Sequence, residues 1–209
     1  MSPSKPAARR GRPRRDELVA RREAVLDAAL EELVERGYER LTMQGVAARA
    51  RASKETLYAW FGGRDGLVRA LIERNADVSA ARVRAALDGE ADPTATLEGY
   101  ARGLLTLLTG PVSVALNRAA MGSPALAEEL LRSGRHRIGP LVEEYLGDLH
   151  RRGALDVPDP PAAFRLLYGL VVQDDQIRTL LGEPAPSPAA VEARARTAVA
   201  AFLRLSATP

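Results

Sequence analysis

The chain has 209 residues, 46% hydrophobic and 4% aromatic, with a formal net charge of +3 and no cysteine. That length allows a sizeable core in one or two domains, and the scarcity of aromatics means it must be built mainly from Leu, Ala and Val. The absence of cysteine excludes disulfides, thiolate nucleophiles and thiolate metal sites, and no stretch approaches the ~20 consecutive apolar residues of a membrane span.

No signal-peptide run opens the sequence, so a soluble, cytoplasmic protein that does not use a membrane is expected. The charge is unevenly placed. Residues 1–72 carry 15 Lys and Arg against 10 Asp and Glu, whereas residues 73–209 carry 15 against 17. A polyanion would therefore dock on the first third.

Residues 1–15 contain six basic residues and no acid, and should be disordered in isolation. Within them Arg10, Arg12 and Arg14 alternate with Gly11 and Pro13, a pattern that resembles the core of an AT-hook, whose arginines enter a narrow minor groove. A merely solubilising basic tail is the equal alternative.

Helix 1 is expected over residues 16–36, with Leu18, Val25, Ala29, Leu33 and Val34 facing inward and Gly37 as its stop. Two short helices then follow back to back in residues 41–61. Thr42 and Ser53 are their start signals, because a hydroxyl at the N-cap accepts from a backbone N–H that the helix leaves unpaired. Val46, Ala47 and Ala50 form the narrow apolar edge of the first. In the second, Leu57 and Phe61 face inward and leave Lys54, Glu55, Thr56, Tyr58 and Ala59 outside. This is the arrangement a helix-turn-helix needs to lay its second helix in the DNA major groove, although two capped short helices occur in many helical proteins.

Gly62 and Gly63 break the pattern. Helix 4 starts near Arg64 and Asp65, runs to about Leu87 and links the two halves, with Gly62, Gly63 and Gly66 expected to make its start tolerant of a tilt. Asp92 and Pro93 start the next helix, which Gly110 and Pro111 end. A short helix covers residues 112–120, and another, capped by Ser123, stops around Gly134. Residues 135–152 form an amphipathic helix in which Pro140 marks a kink or a first turn. Residues 160–181 read as one helix apolar on nearly every side, which demands cover on both flanks. Ser187 caps the last helix, to about Leu205. No strand signal is present, and the fold class is all-α.

The segment RREAVLDAALEELVERGYERLTMQGVAARARASKETLYAWFGGRDGLV resembles, almost residue for residue, the DNA-binding domain of the TetR (tetracycline-repressor) family of bacterial transcription regulators. The match spans roughly residues 21–71 and rests on Ala28 and Ala29, Gly37-Tyr38, Thr42, Val46-Ala47, Ser53, Leu57-Tyr58, Phe61 and Arg64-Asp65. One departure is Arg51, which stands in the turn where the family usually has Gly. In a left-handed conformation it would cost on the order of 1 kcal/mol; a reshaped turn is the alternative, in which the Arg51 side chain could reach a phosphate.

The resemblance implies a basic arm over residues 1–15, a helix-turn-helix DNA-binding domain over 16–71, and a helical bundle over 72–209 that dimerises and holds a small-molecule effector. It implies base readout by Lys54, Glu55, Thr56 and Tyr58, and backbone contacts from Thr42, Gln44, Trp60 and Arg64 around the Ser53 cap. The partners are a palindromic double-stranded DNA operator, a second copy of the chain and an unidentified effector. No cofactor is implied. Residues alone leave open a ligand-free architectural DNA-binding protein and a helical interaction module.

Catalysis has little to work with, since no nucleophile-elbow motif or Gly-rich phosphate loop is present. His136 and His150, if on one helix, stand roughly 21 Å apart and cannot share a metal. An enzyme is not expected. Polar residues inside apolar helices mark the candidate ligand site: Asn117, Arg118, Tyr145, Tyr168, Gln173 and Asp174. Each has a plainer reading as a hydrogen-bonded core residue or a surface group.

Overall fold

The computed structural model describes residues 15–88 and 92–207, which fold into eleven α-helices with no strand. In order these are α1 Arg15–Arg36, α2 Met43–Arg49, α3 Lys54–Phe61, α4 Arg64–Leu87, α5 Pro93–Thr109, α6 Pro111–Met121, α7 Pro124–Leu130, α8 His136–Arg151, α9 Pro160–Val172, α10 Asp175–Leu180 and α11 Pro188–Leu205. Arg10, Arg12 and Arg14 lie outside the described residues.

Four of the expected caps form: Thr42, Ser53, Asp92 and Ser187 each accept from the backbone N–H three residues on. Ser123 stands at the start of α7 without making that bond. Proline fills the first helical position of α5, α6, α7, α9 and α11, where its missing N–H costs nothing.

Two hydrophobic cores organise the chain. The first joins Leu26 and Leu33 of α1, Val46 of α2, Leu57 of α3 and Leu67 and Leu71 of α4 with Leu116 of α6 and Leu126 of α7. The helix-turn-helix is thus packed on helices from the second half of the chain as well as on its own. The second core gathers Leu97 and Leu105 of α5, Val142 and Leu146 of α8, Phe164 and Leu167 of α9 and Val199 and Phe202 of α11.

Three expectations are corrected. Leu18 and Val34 are 40% and 39% exposed rather than inward. Residues 15–21 of α1 extend past everything packed on it, and Val34 is rotated off the stripe that Val25, Ala29 and Leu33 occupy. The helix beginning at Pro124 does not stop at Gly134, because a π-helical turn, Leu131–Arg135, carries it directly into α8. Each residue inserted in this way rotates the following helix face by about 100°.

Residues 160–181 are two helices, not one. Gln173, at φ 45° and ψ −124°, ends α9, and α10 restarts at Asp175. Arg194 of α11 clips both sides of the break, donating to the Val171 carbonyl (3.5 Å) and to Asp175 (3.1 Å). Arg118 of α6 holds the far end of α10 through the carbonyls of Leu180 (3.0 Å) and Thr179 (3.2 Å).

Candidate nucleic-acid interface and ligand cavity

The turn between α2 and α3 is a Schellman motif. Ala52 N donates to Ala47 O at 3.0 Å and Arg51 N to Ala48 O at 3.3 Å, which leaves Arg51 as the left-handed residue at φ 51°. The Arg51 side chain is exposed. On either side, Thr42 Oγ1 accepts from Gly45 N at 3.0 Å and Ser53 Oγ from Thr56 N at 3.1 Å. Both hydroxyls are therefore structural as well as surface groups.

Leu57 anchors α3 with no exposure, while Lys54, Glu55, Tyr58 and Ala59 are exposed and Thr56 is half-buried. Lys54 Nζ lies 5.7 Å from the centre of the Tyr58 ring one turn on, so the two form one cationic and aromatic surface. Gln44 is exposed in the first turn of α2. Trp60 is half-buried against the first core, and its ring meets Phe61 edge-on at 6.2 Å.

Behind this face the supports are ionic. Arg49 of α2 reaches Glu35 at 2.6 Å, Glu32 at 3.0 Å and Glu31 at 3.2 Å, tying α2 to α1. The Arg49 hydrogen bond holds the Glu35 carboxyl below its ordinary pKa. Arg64 opens α4 with its guanidinium 4.1 Å from the Tyr38 ring centre, and the Tyr38 hydroxyl donates to Asp65. Burial and then that hydrogen bond push the Tyr38 phenol above its ordinary pKa. These contacts tie the start of α4 to the turn that follows α1, and α2 to α1. The outer face of α3 is short, aromatic and hydrogen-bonding, with one cation and one acid in its first turn, and it suits the major groove.

A cavity of about 1220 Å³ lies between α4, α5 and α6 on one side and α8, α9 and α10 on the other. Asn117 and Tyr168 line it. Asn117 turns its amide back onto Ser113 O at 2.8 Å, and the Tyr168 hydroxyl donates to Gln176 Oε1 at 3.4 Å. The other four expected ligand residues are not brought to the cavity. Arg118 is committed to the end of α10, Tyr145 packs on the second core, and Gln173 and Asp174 are exposed at the helix break.

The structure adds Arg135, on the π-helical turn, which points between the rings of Phe164 and Tyr168. Only the tertiary fold brings those rings to it. Leu71 and Ile72 belong both to the cavity wall and to the core beneath the helix-turn-helix.

Comparison with known proteins agrees with this geometry. Residues 25–71 match the family of bacterial regulatory proteins, tetR family, and residues 95–206 match the C-terminal domain of AefR-like transcriptional repressors. The chain is 29% identical over 188 residues to the uncharacterised HTH-type transcriptional regulator YdeS of Bacillus subtilis, covering 83% of this chain and 91% of that one. It is 30% identical over 143 residues, 66% of this chain and 64% of the other, to the DNA-binding transcriptional repressor TetR of Mycobacteroides abscessus.

Among solved structures, a TetR transcriptional regulator from Agrobacterium tumefaciens superposes with a TM-score of 0.71 at 40% identity, over 89% of this chain and 94% of that one. A TetR-family protein from Mesorhizobium loti shares the fold at a TM-score of 0.81 and 21% identity, over 94% and 100% of the two chains. Proteins of this kind are transcription factors, not enzymes. The exposed face of α3, the packed helices behind it and the two family matches together place this chain in the TetR family of transcriptional regulators.

Proposed function

We propose that the chain is a homodimeric repressor that binds a palindromic operator and is released by a small-molecule effector held in the cavity. Residues 16–71 form its DNA-binding domain and residues 72–209 its effector and dimerisation domain. The observation that carries the reading is the outer face of α3, where Lys54, Glu55 and Tyr58 project from a helix pinned at both ends. In this reading Lys54, Glu55, Thr56 and Tyr58 read base edges, and Thr42, Gln44, Trp60 and Arg64 flank them at the phosphates, with Arg51 beside them.

The second copy is expected on α9 and α11. Leu166 of α9 is 41% exposed, and Ala193, Thr197 and Ala200 form an exposed small-residue face one to two turns apart on α11. Packing these faces on their copies makes a four-helix interface, which for an obligate dimer typically exceeds ~2,000 Å². Two-fold symmetry sets the recognition helices about one DNA turn apart, on the order of 34 Å.

The effector acts on that spacing. Leu71 and Ile72 touch both the cavity and the core beneath the helix-turn-helix, and α6 packs on α1 as well as on the cavity. Moving α4 and α6 therefore moves the reading heads. Sedimentation of the protein with an operator duplex tests the assembly: two protomers on one duplex are expected, and a monomer at micromolar concentration would contradict it.

A further inference from the structure

We infer that the cavity selects a ligand that is apolar along most of its length and ends in a carboxylate, with Arg135 receiving the carboxylate. This rests on reading the cavity as the effector site. Four arginines line it, Arg74, Arg82, Arg102 and Arg135, and no Asp or Glu does. A cationic ligand would meet only like charge there.

Two of the four are already committed to protein carboxylates. Arg74 reaches Asp27 at 2.8 Å and Glu23 at 3.3 Å, and Arg102 reaches Glu192 at 3.4 Å. Arg82 is exposed on α4, where water satisfies it. Arg135 is different: it is half-buried, and among the described residues no carboxylate lies within ion-pair distance of it. Its Cζ stands 4.4 Å from the Tyr168 ring centre and 4.7 Å from that of Phe164.

The Tyr168 hydroxyl oxygen takes one hydrogen bond from the guanidinium and the two rings stabilise its positive charge, but together they leave most of its five N–H donors without an acceptor. Half-buried N–H donors left without an acceptor cost free energy, and a planar carboxylate accepts two of them in parallel. Position is fixed as well as charge. Phe164 is held against α8 one turn beyond Arg135, where a Cβ on Gly139 would stand only 3.0 Å from Phe164 Cε1. The remaining wall is largely apolar, and about 1220 Å³ exceeds the usual size of a small-molecule pocket, so it takes a long or bulky apolar body.

The test uses three probes of equal chain length below their micelle concentrations: dodecanoate, 1-dodecanol and dodecyltrimethylammonium, titrated calorimetrically into the full-length protein. Dodecanoate is expected to bind at least about tenfold more tightly than either isostere, the scale of one charge-assisted bidentate contact. Arg135→Gln should abolish that preference and Arg135→Lys should retain part of it, with thermal melts confirming that each variant folds. The lysine variant serves if the glutamine variant does not fold. An alcohol or ammonium probe matching dodecanoate, a preference that survives at Arg135→Gln, or no binding by any probe would overturn the inference.

Operator binding by the same samples separates this result from the regulator reading. Release by all three probes alike overturns carboxylate selection and leaves the regulator standing. Arg135-dependent binding of dodecanoate by a protein with no operator supports the selection and removes the regulator.

Discussion

The carbonyl oxygen of Phe61 lies 1.8 Å from where a Cβ on Gly66 would stand, so the end of α3 and the first turn of α4 meet backbone to backbone. The Gly62, Gly63 and Gly66 run looks like a loose joint in the sequence. In the fold Gly66 makes it a tight one, and α3 takes its orientation from α4 with little slack. On the proposed reading, that stiffness would carry a displacement of α4 to the exposed face of α3 without absorbing it.

Gly66→Ala is therefore expected to destabilise the protein by about 3 kcal/mol or more, because the clash is with backbone and cannot be relieved by a rotamer change. Chemical denaturation measures it. A loss under about 0.5 kcal/mol, the range of ordinary surface substitutions, would show that the joint yields.

Arg51 occupies the left-handed C′ position of α2, a place where glycine avoids a steric cost of about 1 kcal/mol. Arg51→Gly should raise stability by up to that amount, less the extra chain entropy that glycine loses on folding. If the side chain also meets a phosphate, the same variant should bind operator more weakly, with the salt dependence of binding reduced by roughly one ion. Stability unchanged or lowered would remove the strain argument, and an unchanged salt slope would remove the phosphate contact.

The Arg49 cluster gives a pH dependence of definite sign. Glu35 titrates lower in the folded protein than its ordinary value of 4.5, chiefly through its hydrogen bond from Arg49. A depressed carboxylate contributes stability that is present above its unfolded pKa and lost as pH falls through its folded pKa. Stability of the wild type should thus fall on acidification below the ordinary carboxylate range, and Glu35→Gln should flatten that part of the profile. Parallel profiles for the two proteins would place the acid sensitivity elsewhere.

Glu55 is the one acid on the exposed face of α3. An acid facing DNA lowers affinity unless it accepts from a cytosine N4 amine, so Glu55→Ala should relax discrimination at a single C·G pair by about 1–3 kcal/mol. Lys54→Ala and Tyr58→Phe should each weaken operator binding. Binding measured across single-base operator variants checks this. A uniform change at every position would show that Glu55 reads no base.

The helix-turn-helix was legible because its signals are local. Thr42 and Ser53 cap within three residues of themselves, and Leu57 needs only a helical period to be assigned inward. What failed needed the tertiary fold. A glutamine gives no warning of a positive φ, and Gln173 adopts one where Arg194 of a distant helix clips the chain on both sides. Leu18 obeys the period of α1 but lies beyond the reach of its partners. Arg118 and Arg135 both look like polar residues near apolar helices. One caps α10 and the other meets two rings of α9, a difference that only long-range packing decides.

On the proposed reading, this face of α3 reads a specific sequence. Affinity selection of the full-length protein on fragmented genomic DNA, followed by sequencing at fixed salt, tests it most directly. One short palindromic motif, whose enrichment Lys54→Ala abolishes, is the expected result. Enrichment indifferent to sequence would mark an architectural DNA-binding protein and contradict the account.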